Sequence, residues 1–331
     1  MYTEEKAELI KHGKIYIPHD FLLPFIPSCS SAGPITGKPS LIFEFFGKRV
    51  KLMIERERCK YELERDGSNY RILKEGKVFL NEVKIIKPIL HSPSHAFVSL
   101  ENRCIYSCAF CSSSSIKKKL SYEKIMSTIK KVYDKMKFDG LAITTGVYPN
   151  YEKSIENLVS AIIEIKRVFS GTIGVEAYFE NENDIDEIWK AGAREIKINI
   201  HSYSKKIFSK LCPQWNYENV LRMIKHACKI FGRGKVCSNL FVGIGEKDSD
   251  VENCTTHLAK IGALTNIRAI RIDEFNKEKI QNLYVGIEPK MLISLAKLQR
   301  NIFELFCLSP KNFKTMCYNC SCCDIIPFED V

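Results

Sequence analysis

Cys104, Cys108 and Cys111 stand as Cys-x3-Cys-x2-Cys in the segment SLENRCIYSCAFC, directly after a short apolar run. Three thiolates on one short loop, with no fourth Cys or His inside it, suit a [4Fe–4S] cluster with one iron left open. A structural zinc ion wants four protein ligands in a closed tetrahedron. An open iron can hold a small chelating ligand, which makes the cluster a reactive centre. Two other readings of these residues are a zinc knuckle that borrows His91 or His95, and three buried cysteines acting as small hydrophobes. Thiols that merely pack have no reason to gather at this spacing. A second set, Cys317, Cys320, Cys322 and Cys323 in TMCYNCSCCDIIP, puts four thiols within seven residues, after a helical stretch that ends in Cys307. A flexible tail of this kind gains order from a metal, whose binding free energy offsets the entropy of fixing it. An iron–sulfur cluster and zinc are both open here. Adjacent Cys322 and Cys323 cannot easily face one metal together, so one is spare, with Cys307 or a residue of the main domain left to complete the set.

The elements that must position these thiols follow from periodicity. From residue 96 the chain alternates strand with helix, which predicts a parallel sheet with crossover helices. Candidate strands are 96–101, 140–146, 172–179, 194–201, 235–243 and 267–273. Apolar residues recur at helical spacing in 121–137 (Ile125, Ile129, Val132, Met136), 154–169 and 217–231, and Cys228 falls on the core face of the last of these. Strands of an open parallel sheet should be apolar throughout, but several here alternate. Ile196, Ile198 and Ile200 oppose Lys197, Asn199 and His201; Ile173, Val175, Ala177 and Phe179 oppose Thr172, Gly174, Glu176 and Tyr178; Ile270 and Ile272 oppose Arg271 and Asp273. One face meets helices and the other lines a polar chamber, so the fold class is α/β, a partial (β/α)6 TIM-like barrel over residues 96–275. Functional groups of such barrels gather at the C-terminal ends of strands, which places Cys104–Cys111 at the rim.

Residues 1–95 have another texture. SSAGPITGKPS (30–40) reads as a loop, and the short runs LIFEFF, RVKLMI, KYELERDGSNYRIL (with Asp-Gly as turn material) and KVFL read as strands. They predict a small N-terminal β-rich module, joined through the connector KPILHSPSH. Residues 276–331 hold a long helix (289–307) and the cysteine-rich tail.

Composition bounds the function. With 331 residues the chain can hold one large domain, or a medium one with an appendage. No apolar run approaches the roughly 20 residues that cross a bilayer, and the start MYTEEKAELI is no secretory signal. Fourteen cysteines, concentrated at 104–111 and 307–323, suit metal-bound thiolates in a reducing cytoplasm better than a secreted disulfide scaffold. The net charge of +11 is dispersed, with only Lys117–Lys119 as a tight run, so nucleic acid is disfavoured while an anionic substrate or an acidic partner is compatible. No Gly-x-Gly-x-x-Gly and no phosphate loop occur.

The Cys-x3-Cys-x2-Cys spacing, with aromatic Phe110 before the last Cys, resembles the signature of the radical S-adenosylmethionine (SAM) superfamily, and the resemblance covers about residues 96–275. It implies that the open iron binds the amino and carboxylate groups of SAM, and that reductive cleavage yields a 5′-deoxyadenosyl radical. A six-strand partial barrel is implied too. Thr144-Thr145-Gly146 stands where the superfamily has a Gly-Gly-Glu-like turn that receives the SAM amino group; the acidic residue is missing, so only the position is carried over. Val242-Gly243-Ile244-Gly245-Glu246 resembles the superfamily's glycine-containing adenine-side segment, with compressed spacing. Glu176, Asn199 and His201 stand where ribose or methionine would be gripped, and the segment INIHS resembles the biotin synthase branch. Arg271 and Asp273 are expected to face the same chamber, Arg271 toward a substrate carboxylate or a second cluster.

Many members carry a second cluster, so the resemblance favours an auxiliary iron–sulfur centre on the tail over zinc. Together these readings predict an enzyme that abstracts hydrogen from a C–H bond of a small-molecule or protein-bound substrate. Sulfur insertion, as in biotin or lipoyl synthases, is one fate of the substrate radical, though those families place their extra cysteines differently. The alternative is cofactor or peptide maturation with a second cluster that binds substrate or relays electrons; a zinc- or cluster-bearing RNA-binding protein is the reading from another class. A one-electron donor such as a ferredoxin or flavodoxin is implied, and Lys117–Lys119 could attract it.

Overall fold

A computed structural model describes residues 2–29 and 38–331. Most of the loop expected at 30–40, residues 30–37, lies outside the described residues. The N-terminal part opens with α1 (Thr3–His12), then β1 (Lys14–Tyr16), β2 (Ser28–Cys29), β3 (Pro39–Phe45), β4 (Lys48–Glu55), β5 (Tyr61–Asp66), β6 (Asn69–Lys74) and β7 (Lys77–Ile86). The sheet order is β2-β3-β4-β1-β5-β6-β7, and β3 also pairs with β7, so the strands close on themselves. Closure leaves few backbone groups exposed at an edge. The Asp-Gly turn is where the sequence puts it, between β5 and β6, with Asp66 opposite Asn69. The helix goes beyond the sequence reading. Glu4 and Glu5 in its first turn and Lys11 and His12 in its last suit the helix dipole, and Gly13 at φ 75° ends it. Its buried Ala7, Leu9 and Ile10 join Phe43, Phe45 and Tyr61 in the core.

Six parallel strands follow: β8 (Ala96–Ser99), β9 (Gly140–Thr144), β10 (Thr172–Glu176), β11 (Ala193–Lys197), β12 (Val236–Val242) and β13 (Ala263–Ala269), in the order β13-β12-β11-β10-β9-β8. Helices α2 (Tyr122–Met136), α3 (Tyr151–Val168), α4 (Glu182–Ala191), α5 (Lys205–Leu211), α6 (Tyr217–Phe231) and α7 (Asp248–Ile261) lie between them in the chain. Then come α8 (Lys277–Ile280), α9 (Pro289–Leu305) and α10 (Met316–Cys320). This is the expected α/β architecture, and Cys228 is buried in the core as read.

One strand is displaced from its expected place. The last strand spans 263–269 and not 267–273, because its first residues, Ala-Leu-Thr-Asn, are buried on both faces and carry no alternation. Ile270 N–H still reaches the Val242 carbonyl at 3.0 Å, but beyond it the chain turns away. Asp273 accepts from Phe275 and Asn276 N–H at 2.9 and 3.0 Å, so it shapes a turn and does not face the chamber.

The tail is not the loose segment the sequence suggests. It runs into the barrel: Leu308, Phe313, Met316, Tyr318 and Ile326 pack with Ala142, Cys237 and Leu264 from three strands. Glycines make room for it. A Cβ on Gly140 would stand 2.1 Å from the Lys314 carbonyl oxygen, and one on Gly174 would stand 2.1 Å from Thr315 Oγ1. Buried Glu195 accepts the N–H groups of Lys314 and Thr315, both at 2.9 Å. The chain then returns to the N-terminal barrel, where the fully buried Lys6–Asp330 pair (2.6 Å) and a bond from Lys51 N–H to the Cys322 carbonyl (2.9 Å) hold it. Apolar packing and satisfied backbone groups seat the tail against both barrels.

Candidate active site: two cysteine sets facing one chamber

The barrel encloses a chamber of about 330 Å³. Cys104, Cys108 and Cys111 line one wall, and Cys317, Cys320, Cys322 and Cys323 line another. Cys307 is exposed at the end of α9 and takes no part.

The first cysteine loop follows β8 and is pinned from two sides. Gly146 N–H bonds to Glu101 O and Ile105 N–H to Val147 O, both at 2.8 Å, which ties the loop to the turn after β9. That turn must be glycine at 146, since a Cβ there would stand 2.1 Å from the Arg103 carbonyl oxygen. On the other side Ala109 N–H reaches Leu211 O at 2.8 Å, and Ser107 N–H reaches Gln214 Oε1 at 3.1 Å. Burial pushes the Cys104 thiol up, while the backbone N–H groups of Val147 and Tyr106 favour its thiolate. The buried Cys212 thiol donates to Cys108 and holds it down. Cys212, Gln214 and Trp215 were not legible as site residues; they sit on one loop more than 100 residues from the cysteines they support.

Thr144, Thr145 and Gly146 line the chamber beside this loop, as do Glu176, Asn199 and His201. His201 has a left-handed backbone (φ 57°) and packs against Phe110 and Phe241, at 4.5 and 4.9 Å between ring centres. Its Nδ1 is buried without a hydrogen-bond partner, and so is Trp215 Nε1. Burial, with Lys197 and Arg268 nearby, lowers the His201 imidazole to about 3. Gly243 and Gly245 stand apart from the chamber lining: Glu246 accepts from Gly243 and Ile244 N–H at 2.7 and 2.8 Å, and residues 285–286 cover this turn through bonds to Gly243 O. Lys117–Lys119 are exposed beyond the first cysteine loop.

Between the two walls runs a closed polar circuit. Asn199 donates to Glu176 (2.9 Å) and accepts from Asn239 N–H (2.9 Å); Asn266 donates to Asn239 (3.1 Å) and to Asp324 (2.9 Å). Arg268 pairs with Asp324 through two bonds at 2.7 and 3.0 Å and donates to the Cys317 sulfur at 3.1 Å. Lys197 donates to the same sulfur at 3.3 Å and lies 3.3 Å from Glu176, which closes the ring. Burial works against charge here, yet Asp324 and Cys317 hold the Arg268 guanidinium above its ordinary value, and Cys317 and Glu176 do the same for the Lys197 ammonium. Buried ions survive only when paired in this way.

On the tail, the Cys322 thiol donates to the Cys320 carbonyl at 3.0 Å, and burial keeps it protonated. The neighbouring Cys322 and Ser92 side chains, with Lys51 close by, lower the Cys320 thiol. Setting Cys322 aside leaves Cys317-x2-Cys320-x2-Cys323, a spacing common among iron–sulfur ligands and present in the sequence, though hidden by the extra cysteine. Among the described residues no group of three or more His, Cys, Asp or Glu could hold a single metal ion. His91 and His95 lie on the tail side of the chamber with Lys51 and Ser92, not beside the first loop.

Comparison with known proteins bears on the family and the fold. The model of the radical SAM superfamily matches residues 98–257. A biotin synthase from Magnetococcus marinus is 24% identical over 178 residues, which are 54% of this chain and 50% of the relative, so the match spans only half of that protein. The structure is similar to methylornithine synthase (TM-score 0.54, 14% identity, 71% of this chain and 72% of the other). It is also similar to the FeFe-hydrogenase maturase HydG from Carboxydothermus hydrogenoformans (TM-score 0.52, 16% identity, 64% and 52%). At these identities the structural likeness concerns the fold. Among the described residues no helix is long and apolar enough to cross a membrane.

Proposed function

From the premise that this chain is a radical SAM enzyme, its radical SAM domain at residues 98–257, we propose that it abstracts hydrogen from a C–H bond of a substrate held between two iron–sulfur centres. One observation carries the reading: both cysteine sets line a single chamber of about 330 Å³. A substrate radical formed beside the first set is then within reach of the second.

Cys104, Cys108 and Cys111 fit a cluster with one open iron. Three thiols lie on one loop, backbone N–H groups and the Cys212 thiol meet their sulfurs, and the remaining side faces the chamber. When bound there, a [4Fe–4S] cluster supplies the electron that cleaves SAM to a 5′-deoxyadenosyl radical. Thr144, Thr145 and Gly146 sit where the methionine end would lie, with Glu176 and Asn199 toward the ribose. Phe241 and His201 wall the side given in the sequence reading to Gly243 and Gly245. The aromatic lining excludes water, which protects a reactive radical. The exposed Lys117–Lys119 offer a landing place for an acidic one-electron donor such as a ferredoxin or flavodoxin, in a reducing compartment such as the cytoplasm.

Cys317, Cys320 and Cys323 fit the auxiliary centre, and sulfur insertion is the reading favoured for the substrate radical. The 24% identity to a protein named biotin synthase supports it. In the second reading the tail centre binds substrate or relays electrons during cofactor or peptide maturation; Lys51 and Arg271, both lining the chamber, would suit an anionic substrate there. Anaerobically reconstituted protein with dithionite and SAM should release 5′-deoxyadenosine, and none would reject the radical reading. One turnover should consume the tail centre if it donates sulfur; an intact tail signal after product forms would select the second reading.

A further inference from the structure

Two cations that line the chamber, Lys51 and Arg271, have no counter-ion in the protein. We infer that the substrate bears a carboxylate held by this pair, with its hydrocarbon part against Phe97, Ile270 and Met316 of the same lining. This names a substrate class for the chamber and rests on the reading of it as the place where a substrate radical forms.

Lys51 is 2% exposed, and its ammonium has three protons to give. His91 takes two, through its carbonyl at 3.1 Å and its Nδ1 at 3.2 Å, and brings no negative charge. The third has no partner among the described residues. The Arg271 guanidinium makes no hydrogen bond and no ion pair among the described residues, and its Nη2 is buried. Other cations of the interior are matched: Lys6 by Asp330 at 2.6 Å, Lys197 by Glu176 at 3.3 Å and Arg268 by Asp324 at 2.7 Å. The carboxylates that line the chamber are committed, Glu101 to Arg103 and Glu176 to Lys197 and Asn199. Residues 30–37 contain no Asp or Glu. A buried cation left unpaired is costly, so an anion that pairs it gains affinity from the relief.

Both cations belong to one wall. Arg271 packs beside Gly13, where a Cβ would stand 3.3 Å from its Nε, and the Gly13 carbonyl accepts from Met53 N–H at 2.9 Å. Met53 is two residues from Lys51 on β4, about 7 Å along the same face of that strand. The tail thiols do not take up these protons. Lys197 and Arg268 donate to the Cys317 sulfur at 3.3 and 3.1 Å, but among the described residues no hydrogen bond joins the Lys51 ammonium or Arg271 to a sulfur. A guanidinium edge presents two parallel N–H groups that match the two oxygens of a carboxylate, whose other lone pairs remain for the ammonium. Phe97, Ile270 and Met316 suit an aliphatic body with one acidic end.

The test titrates the anaerobically reconstituted full chain with sodium hexanoate, hexan-1-ol and hexyl phosphate by calorimetry. Hexanoate should bind tightest, and hexan-1-ol at least about tenfold more weakly, as expected for a ligand that has lost a charged hydrogen bond. Hexan-1-ol binding as well as hexanoate, or hexyl phosphate binding more tightly, overturns the inference, and this comparison needs no variant. Arg271→Gln and Lys51→Met should each weaken hexanoate by about 10- to 100-fold, with iron content and the affinity for SAM unchanged. Loss of about four iron atoms from either variant would assign the cations to the tail thiolates, and weakened SAM binding would assign them to the cosubstrate; each result overturns the carboxylate site. Release of 5′-deoxyadenosine is measured separately on the native chain. Its absence while hexanoate still binds rejects the radical reading and leaves the anion site standing.

Discussion

The Lys197 ammonium, at the end of β11, donates to the sulfur of Cys317 at 3.3 Å although 120 residues separate them in the chain. Its charge is also matched by Glu176 at 3.3 Å, and the Lys197 side chain is only 1% exposed. Removing one partner of a buried pair leaves an uncompensated charge and typically costs about 3–5 kcal/mol. Lys197→Met should therefore lower the urea-unfolding stability of the metal-free protein by about 3 kcal/mol. Adding Glu176→Gln should recover much of the loss. Equal stability of the single and double variants would show that the circuit does not hold the barrel together.

Gly140 guards the path of the tail. A Cβ at this position meets the backbone of Lys314, which has no side-chain freedom with which to yield. Gly140→Ala should cost about 1–3 kcal/mol, the usual cost of overpacking. It should also speed alkylation of Cys317, Cys320 and Cys323 in the metal-free protein, read by peptide mass mapping. Unchanged labelling would mean that the tail is held elsewhere.

Gly146 carries the same constraint for the first loop, against the Arg103 carbonyl. Displacement of a catalytic loop by about 1 Å can cost roughly 100-fold in rate. Gly146→Ala should reduce the yield of 5′-deoxyadenosine by about that factor, with the tail centre still assembled. A fall of less than twofold would show that the contact does not position the loop.

His201 makes stability depend on pH. Its folded-state value is lowered from 6.5 to about 3, so the unfolded chain binds the extra proton between these limits. Its contribution is fully present above pH 6.5 and is lost as the pH falls toward 3, by at most about 1.4 kcal/mol per unit. His201→Asn, which tolerates the left-handed backbone, should flatten the fall in unfolding free energy between pH 6.5 and 5. A variant with the native slope would contradict a buried neutral imidazole.

The sequence carried the site unevenly, for physical reasons. The alternation Lys197, Asn199, His201 against Ile196, Ile198, Ile200 was legible because each residue's burial depends only on which face of a strand it occupies, and all three polar residues line the chamber. The cysteine loop was legible because its donors are neighbours in the chain. Ile270 to Asp273 kept the same alternation without being a strand, since an Asp–Asn turn can imitate period two. What stayed hidden depends on distant partners: Gly140 and Gly174 matter only because the tail arrives, Cys212 because of the Cys108 thiol beside it, and Lys51 because of His91 and the Cys322 carbonyl. The spare Cys322 masked the Cys-x2-Cys-x2-Cys spacing, and only its bond to the Cys320 carbonyl separates it from the rest.

The shared chamber is tested most directly by electron paramagnetic resonance of the fully reduced protein against two variants, one lacking Cys104, Cys108 and Cys111 and the other lacking Cys317, Cys320 and Cys323. Each variant should bind about four iron atoms and the native chain about eight. The native spectrum should then be broadened and split relative to the sum of the two, because both paramagnets face one cavity of about 330 Å³. A native spectrum equal to that sum, or a tail that binds no iron, would contradict this account.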